Sequence, residues 1–173
     1  GLQDAQHQRA WLWAAQQTEL VGREMVEADP PGQNHLNQII PALVNLLGGS
    51  LTPIERAEAG NTLSRLGDPR SEVLTCEALA FCEVPAGDFI YGEGKDQKTI
   101  TLPGFWIGKY PVTVAQYDQF VQAGGYTNPD YWAEAIKKKY WAKAGFKGGW
   151  DNEPRTAPVP YGVLFSLPNH PVV

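Results

Sequence analysis

The sequence is poor in cysteine and histidine, with two of the first and three of the second. Cys76 and Cys82 are too few for a disulfide scaffold and lack the spacing of a zinc site. With Leu, Ala and Phe around them, they read as small apolar side chains beside a strand start rather than as a redox pair. His7, His35 and His170 stand singly, so no zinc site is expected from them. Lysine is absent from residues 1–75, which hold five arginines against nine acids, whereas residues 76–173 balance nine basic residues against ten acids. Neither part has the basic excess of a nucleic-acid binder, so nucleic acid is not an expected partner. No run approaches the roughly 20 apolar residues of a membrane span, and the start lacks the basic region and apolar run of a signal peptide. The chain therefore reads as soluble and cytoplasmic, with no membrane partner.

Against these scarcities stand 43% hydrophobic residues, six Trp, seven Tyr and six Phe, enough apolar material for a folded core. Residues Gln3 to Ala28 read as one long helix, with Leu12, Ala15, Val21 and Met25 along its apolar stripe and Asp29-Pro30-Pro31-Gly32 as its stop. A second helix, His35 to Leu47, places Leu36, Ile39, Ile40, Leu43, Val44 and Leu47 on one face before Gly48-Gly49. Thr52-Pro53-Ile54-Glu55 is a capping box with Pro at the first helical position. The helix it opens buries Ile54, Ala57, Leu63 and Leu66 and stops at Gly67-Asp68-Pro69. The run "LTPIERAEAGNTLSRLGDPR" resembles the closing helix of a HEAT-type solenoid repeat. One such hairpin cannot bury its apolar face alone.

After Arg70 the period changes to alternation. Phe81 to Val84, a turn at Ala86-Gly87 and Asp88 to Tyr91 read as paired strands, and Lys98–Leu102 and Phe105–Gly108 continue the β region. Thr113-Val114-Ala115-Gln116 is a second capping box, opening a helix that buries Tyr117, Phe120 and Val121. Asp130 to Ala144 reads as a further helix with Tyr131, Trp132, Ile136 and Tyr140 inward, and the proline-spaced remainder reads as loop.

The ordered series "VPAGDFIYGEG", "KTITLPGFWIGKYPVTVAQYDQFVQAGGY" and "LPNHPVV" resembles the sulfatase-modifying-factor, or formylglycine-generating-enzyme-like, family over slightly more than half of the chain. The resemblance implies a C-type-lectin-like fold in which Pro85, Gly87 and Phe89 belong to a first hairpin. Phe105, Ile107, Pro111, Val112, Thr113 and Tyr117 belong to the strand that feeds the first helix, and the aromatics fill the core. Tyr91 stands where many relatives carry Met, and Val114 where the helix often opens with Asn. The resemblance also places the reactive cysteines, and any copper or calcium ligands, in a second half that would follow His170-Pro171-Val172-Val173. No cofactor is therefore expected on these residues, and the remaining half of the domain is an expected companion segment. The fold class is thus α+β: a helical, HEAT-like segment over residues 1–75 and a partial C-type-lectin-like domain, rich in irregular loop, over residues 76–173.

Other constellations are weak. Gly92-Glu93-Gly94-Lys95 lacks the spacing of a phosphate-binding loop and reads as a hairpin tip. Asp130, Asp151 and Glu153 form no recognisable acid/base pair. Lys137-Lys138-Lys139 beside Trp132, Tyr140 and Trp141 reads as a lysine face shown to water over aromatic anchors. The stretch from Tyr126 to Tyr161 is the expected contact surface, with Tyr131, Trp132, Tyr140, Trp141 and Trp150 as candidate ligand-binding residues, since such rings give contact area at low entropic cost. No catalytic or metal-binding residue is expected. The leading functional expectation is a non-catalytic module that binds a protein or small molecule. The resemblance implies that such domains end multidomain bacterial proteins, behind ATPase or protease modules and helical repeats, or serve as the diversified ligand-binding proteins of retroelement systems. The alternatives are one part of a formylglycine-generating or sulfoxide-synthase-like oxidase, and a structural piece of a larger assembly.

Overall fold

The computed structural model describes residues 2–142, 145–148, 153–159 and 161–173. The first helix, α1 (Leu2–Val21), ends earlier than its periodicity suggests, because Gly22 takes a φ of 91° that L side chains rarely adopt. A short helix α2 (Arg23–Glu27) follows, and Val21 and Met25 are exposed, the latter at 74%. Leu12, Ala15 and Thr18 form the buried stripe instead. The Asp29-Pro30-Pro31-Gly32 run is as much a start as a stop. Asp29 accepts a hydrogen bond from the Gly32 N–H (2.7 Å) and caps α3 (Pro30–Leu47), in which Pro30 sits where a missing N–H costs nothing.

The capping box of α4 (Pro53–Leu66) is formed as expected: the Glu55 N–H donates to Thr52 Oγ1 (3.3 Å) and the Thr52 N–H to Glu55 Oε2 (2.9 Å). Its buried stripe is Ala59, Thr62, Leu63 and Leu66, spaced by three, one and three residues. Ile54 and Ala57 fall outside that stripe, and Ile54 is 74% exposed, contrary to expectation. The helices α1, α3 and α4 enclose one core of Leu12, Ala15, Leu36, Ile39, Leu43, Leu46, Leu51, Ala59, Leu63 and Leu66. None of the helices, among the described residues, is long and apolar enough to cross a membrane.

Ion pairs trim the rim of this core. Arg9 pairs with Glu55 at 2.5 Å, and Arg65 with Glu19 at 2.7 Å. The Arg9 guanidinium, with the Thr52 backbone and hydroxyl, holds the Glu55 carboxyl down to about 2. A carboxyl depressed in the folded chain contributes stability above its unfolded pKa of about 4.5, and that contribution fades as pH falls from there toward 2. Denaturant midpoints measured at pH 7 and pH 3 should therefore differ less for Glu55→Gln than for the native chain. An equal difference in both would remove Glu55 from the acid response.

The β region departs from expectation in its pairing. The strands β1 (Phe81–Val84) and β2 (Gly87–Tyr91) do not pair with each other; β1 pairs with β4 (Phe105–Gly108) and β2 with β3 (Lys98–Leu102), all antiparallel. Val84 lies opposite Phe105 and Gly87 opposite Leu102, so both ladders share one register and form a single long ribbon. Pro85 and Pro103 fall in the gap between the two ladders, where neither can donate a ladder hydrogen bond. Gly92 to Lys95 lies at the tip of the ribbon, with Gly92 and Gly94 at φ 90° and 55°.

The ribbon aromatics do not share an interior with Tyr117. Phe89, Phe105, Trp106 and Ile107 are exposed, Trp106 at 64%, because among the described residues no layer lies against the two-stranded ribbon. Tyr117 instead joins a cluster beneath α6 (Val114–Gln122), whose own capping box, Thr113 with Gln116, is formed. The expected helix over residues 130–144 is also shorter. A 3₁₀ turn at Pro129–Trp132 leads into α7 (Ala133–Lys137), Lys139 turns the chain with a φ of 63°, and Trp141–Ala142 forms strand β5 against β6 (Gly145–Phe146). A left-handed lysine costs about 1–2 kcal/mol, offset here by the pairing of Trp141 with Phe146 and its indole bond to Tyr126.

Candidate functional site

The region around α6 has two opposite faces. On one, Tyr117, Phe120, Tyr126, Tyr131, Trp132 and Phe146 form a continuous aromatic cluster, with successive ring centroids 5.5–6.3 Å apart. The polar handles of the cluster are satisfied. The Trp132 indole donates to the Gly125 carbonyl and the Trp141 indole to the Tyr126 carbonyl, each at 2.7 Å, and the Tyr117 and Tyr126 hydroxyls are 3.1 Å apart. Burial, reinforced by Tyr117, pushes the Tyr126 phenol far above its ordinary value, so it stays neutral and serves as packing.

Alongside the cluster runs an apolar cleft of about 180 Å³, walled by Val114, Tyr117 and Val121 of α6 and by Ala157, Pro158, Val159, Phe165 and Val172. Its polar lining includes Asp118, whose carboxylate accepts from Gln122, and Ser166, whose hydroxyl donates to the Gly162 carbonyl. The cleft extends past Tyr161 toward Arg155 and Phe146.

The second face of α6 meets the chain that follows α4. Short helix α5 (Ser71–Leu74) presents its terminal carbonyls to α6 side chains: Gln116 Nε2 donates to Glu72 (3.1 Å) and Thr75 (3.2 Å), Thr113 Oγ1 to Val73 (2.7 Å) and Gln119 Nε2 to Leu74 (3.1 Å). The "LPNHPVV" motif meets both α6 and α4. Its Pro168 and His170 carbonyls accept from the Ala115 and Val114 N–H groups, while Asn169 donates to Gly60 and Asp68, and His170 bonds Asn61 at 2.7 Å. Burial alone raises the Asp68 carboxyl, but hydrogen bonds from Arg70 and Asn169 outweigh it and hold the group below its ordinary value.

The candidate binding residues divide by environment. Trp132 and Trp141 are half-buried and tied to backbone carbonyls, Tyr131 and Tyr140 are exposed, and Trp150 lies outside the described residues. Lys137, Lys138 and Lys139 are exposed at the end of α7. Asp130 and Glu153 are exposed, and Asp151 lies outside the described residues. His7 bonds Trp11 and His35 bonds Thr18, so with His170 the three histidines serve three separate contacts. Cys76 spends its thiol on the Gln116 carbonyl (3.4 Å), and Cys82 sits in β1.

The family model of the sulfatase-modifying factor enzyme 1-like domain matches residues 69–173. The chain belongs to that family. No curated protein and no solved structure matches it. The match covers α5, the ribbon, α6, the aromatic cluster and the cleft, so the candidate site lies within the sulfatase-modifying-factor domain. Among the described residues no three His, Cys, Asp or Glu side chains converge into a metal-binding group.

Proposed function

We propose that this chain supplies a ligand- or protein-binding module of a larger multidomain bacterial protein, with recognition carried by the cleft beside α6 and by the exposed rings of Tyr131 and Tyr140. The supporting observation is pre-organisation. Tyr117, which walls the cleft, is held by its hydroxyl bond to Tyr126 and by packing against Phe120, so that wall is ordered before an apolar or aromatic group enters. The test is a residue-resolved NMR titration of the chain with N-acetylated aromatic amino-acid amides. Saturable shifts are expected at Val114, Val121 and Val159, and should vanish in Val121→Asp. Unsaturable shifts, or shifts that persist in the variant, would sink the reading.

The same proposal includes a companion segment of the domain over the ribbon, since Phe89, Phe105, Trp106 and Ile107 are exposed together. Bound anilinonaphthalene sulfonate should fluoresce strongly with the native chain and much less with Phe105→Ser. A dark native complex counts against the companion. Membership of the sulfatase-modifying-factor family favours a second reading, one part of an oxidase whose reactive cysteines lie outside these residues. Copper-dependent oxygen uptake by the parent protein would establish it, and a parent without paired cysteines would exclude it.

A further inference from the structure

We infer that α6 is a latch that makes helices α4 and α5 and the body of the sulfatase-modifying-factor domain open and close as one unit. The reason lies in α5. A helix ends with carbonyls that have no partner within it, and water, a glycine turn or a side chain must satisfy them. Here the extended backbone of Thr75 ends α5 without a left-handed turn. The carbonyls of Glu72, Val73, Leu74 and Thr75 each accept from a side chain of Thr113, Gln116 or Gln119.

The joint is dry where it matters. Gln116 is 2% exposed, and its amide is fully engaged, donating twice and accepting from the Thr113 N–H at 3.1 Å. Parting α6 from α5 strands buried carbonyls and a buried amide at once, which makes partial opening costly. A second clasp works in the same sense, for Asn169 and His170 hold α4 through their side chains while the backbone at 168–170 holds the first turn of α6. Gln116 and Gln119 face the joint, whereas Val114, Tyr117 and Val121 project from the opposite side of the nine-residue helix into the cleft. A load on the cleft is therefore delivered to α4 and α5 through one rigid element.

Amide hydrogen exchange of the full chain, without any ligand, tests the latch separately from the binding proposal. In the native chain, Leu63 and Leu66 of α4 and Phe120 and Val121 of α6 should show equal opening free energies. Gln116→Met keeps the volume and helix propensity but removes both donors and the acceptor of the Thr113 N–H. It should lower protection in α6 by roughly ten- to a hundredfold while leaving α4 unchanged. If that variant fails to fold, Gln119→Met, which loses only the bonds to Leu74 and Cys76, should give the same separation on a smaller scale. The latch is refuted if α4 and α6 already open independently in the native chain, or if the substitutions lower protection equally in both or in neither. Cleft binding that fails with the latch intact, or the reverse, assigns the error to one proposal.

Discussion

Leu43→Ala is expected to destabilise the chain by about 2–5 kcal/mol and lower its melting temperature by roughly 5–20 °C. Leu43 is fully buried in the last turns of α3, within the core that also holds Leu12, Ile39, Leu46 and Leu63, so its removal leaves a cavity that the surrounding helices can close only by shifting. Typical domains have only about 5–15 kcal/mol in all, so this single change consumes a large share. Leu43→Met, which keeps the volume, should cost less than about 1.5 kcal/mol. Denaturant unfolding of the two variants checks the claim, and equal midpoints would show that volume at Leu43 is not what matters.

A second large effect is expected from Gly125→Ala. A β-carbon there would lie 2.4 Å from Cε2 and Cζ of Phe120. That ring cannot step aside freely, since Tyr117, Tyr126 and Tyr131 surround it with centroids at 5.5, 6.0 and 5.9 Å. Overpacking of this kind costs about 1–3 kcal/mol. The same residue carries the carbonyl that holds the Trp132 indole, so the aromatic cluster should lose its order before the helical core does. Near-ultraviolet circular dichroism should collapse while the far-ultraviolet helix signal persists, and the aromatic amides should no longer bind. Unchanged near-ultraviolet dichroism would mean that the cluster tolerates the methyl group.

The sequence shows local chemistry well and distant chemistry poorly. Both capping boxes are legible because donor and acceptor lie three residues apart, and both are formed. The apolar period of α3 likewise marks the residues that meet α1 and α4. By contrast, the break at Gly22 competes with a helical pattern on both sides, and periodicity alone cannot reveal a positive φ. The Asp29-Pro30 run carries two meanings, since the residues that end one helix are also those that begin the next. The ribbon is harder still. Alternation marks Phe81–Val84 and Gly87–Tyr91 as strands but does not say that β1 passes over β2 and β3 to pair with β4.

Within the candidate site, the aromatics from Tyr126 onward are visible as composition, but the division of labour among them is not. Trp132 and Trp141 are positioned by backbone carbonyls, which have no identity in a sequence, whereas Tyr131 and Tyr140 have exposed rings. The joint is missed for the same reason. Gln116 is legible only as a capping-box residue and Gln119 only as a polar helix residue, and their contact with the end of α5 is what makes them the joint. Asn169 and His170 stand out within a motif, yet their partners at Gly60, Asn61 and Asp68 lie more than a hundred residues away.

The facing interruption at Pro85 and Pro103 bears on how the protein behaves when crowded. A long two-stranded ribbon with apolar side chains on both faces is a template for sheet growth between molecules, the route to fibrils. Two prolines in the middle cut that template into pieces of four and five residues, each too short to propagate a cross-β stack on its own. The residues that interrupt the ladder thus act as gatekeepers against self-assembly, and replacing them with valine would be expected to shift the chain from a dispersed state toward thioflavin-positive aggregates.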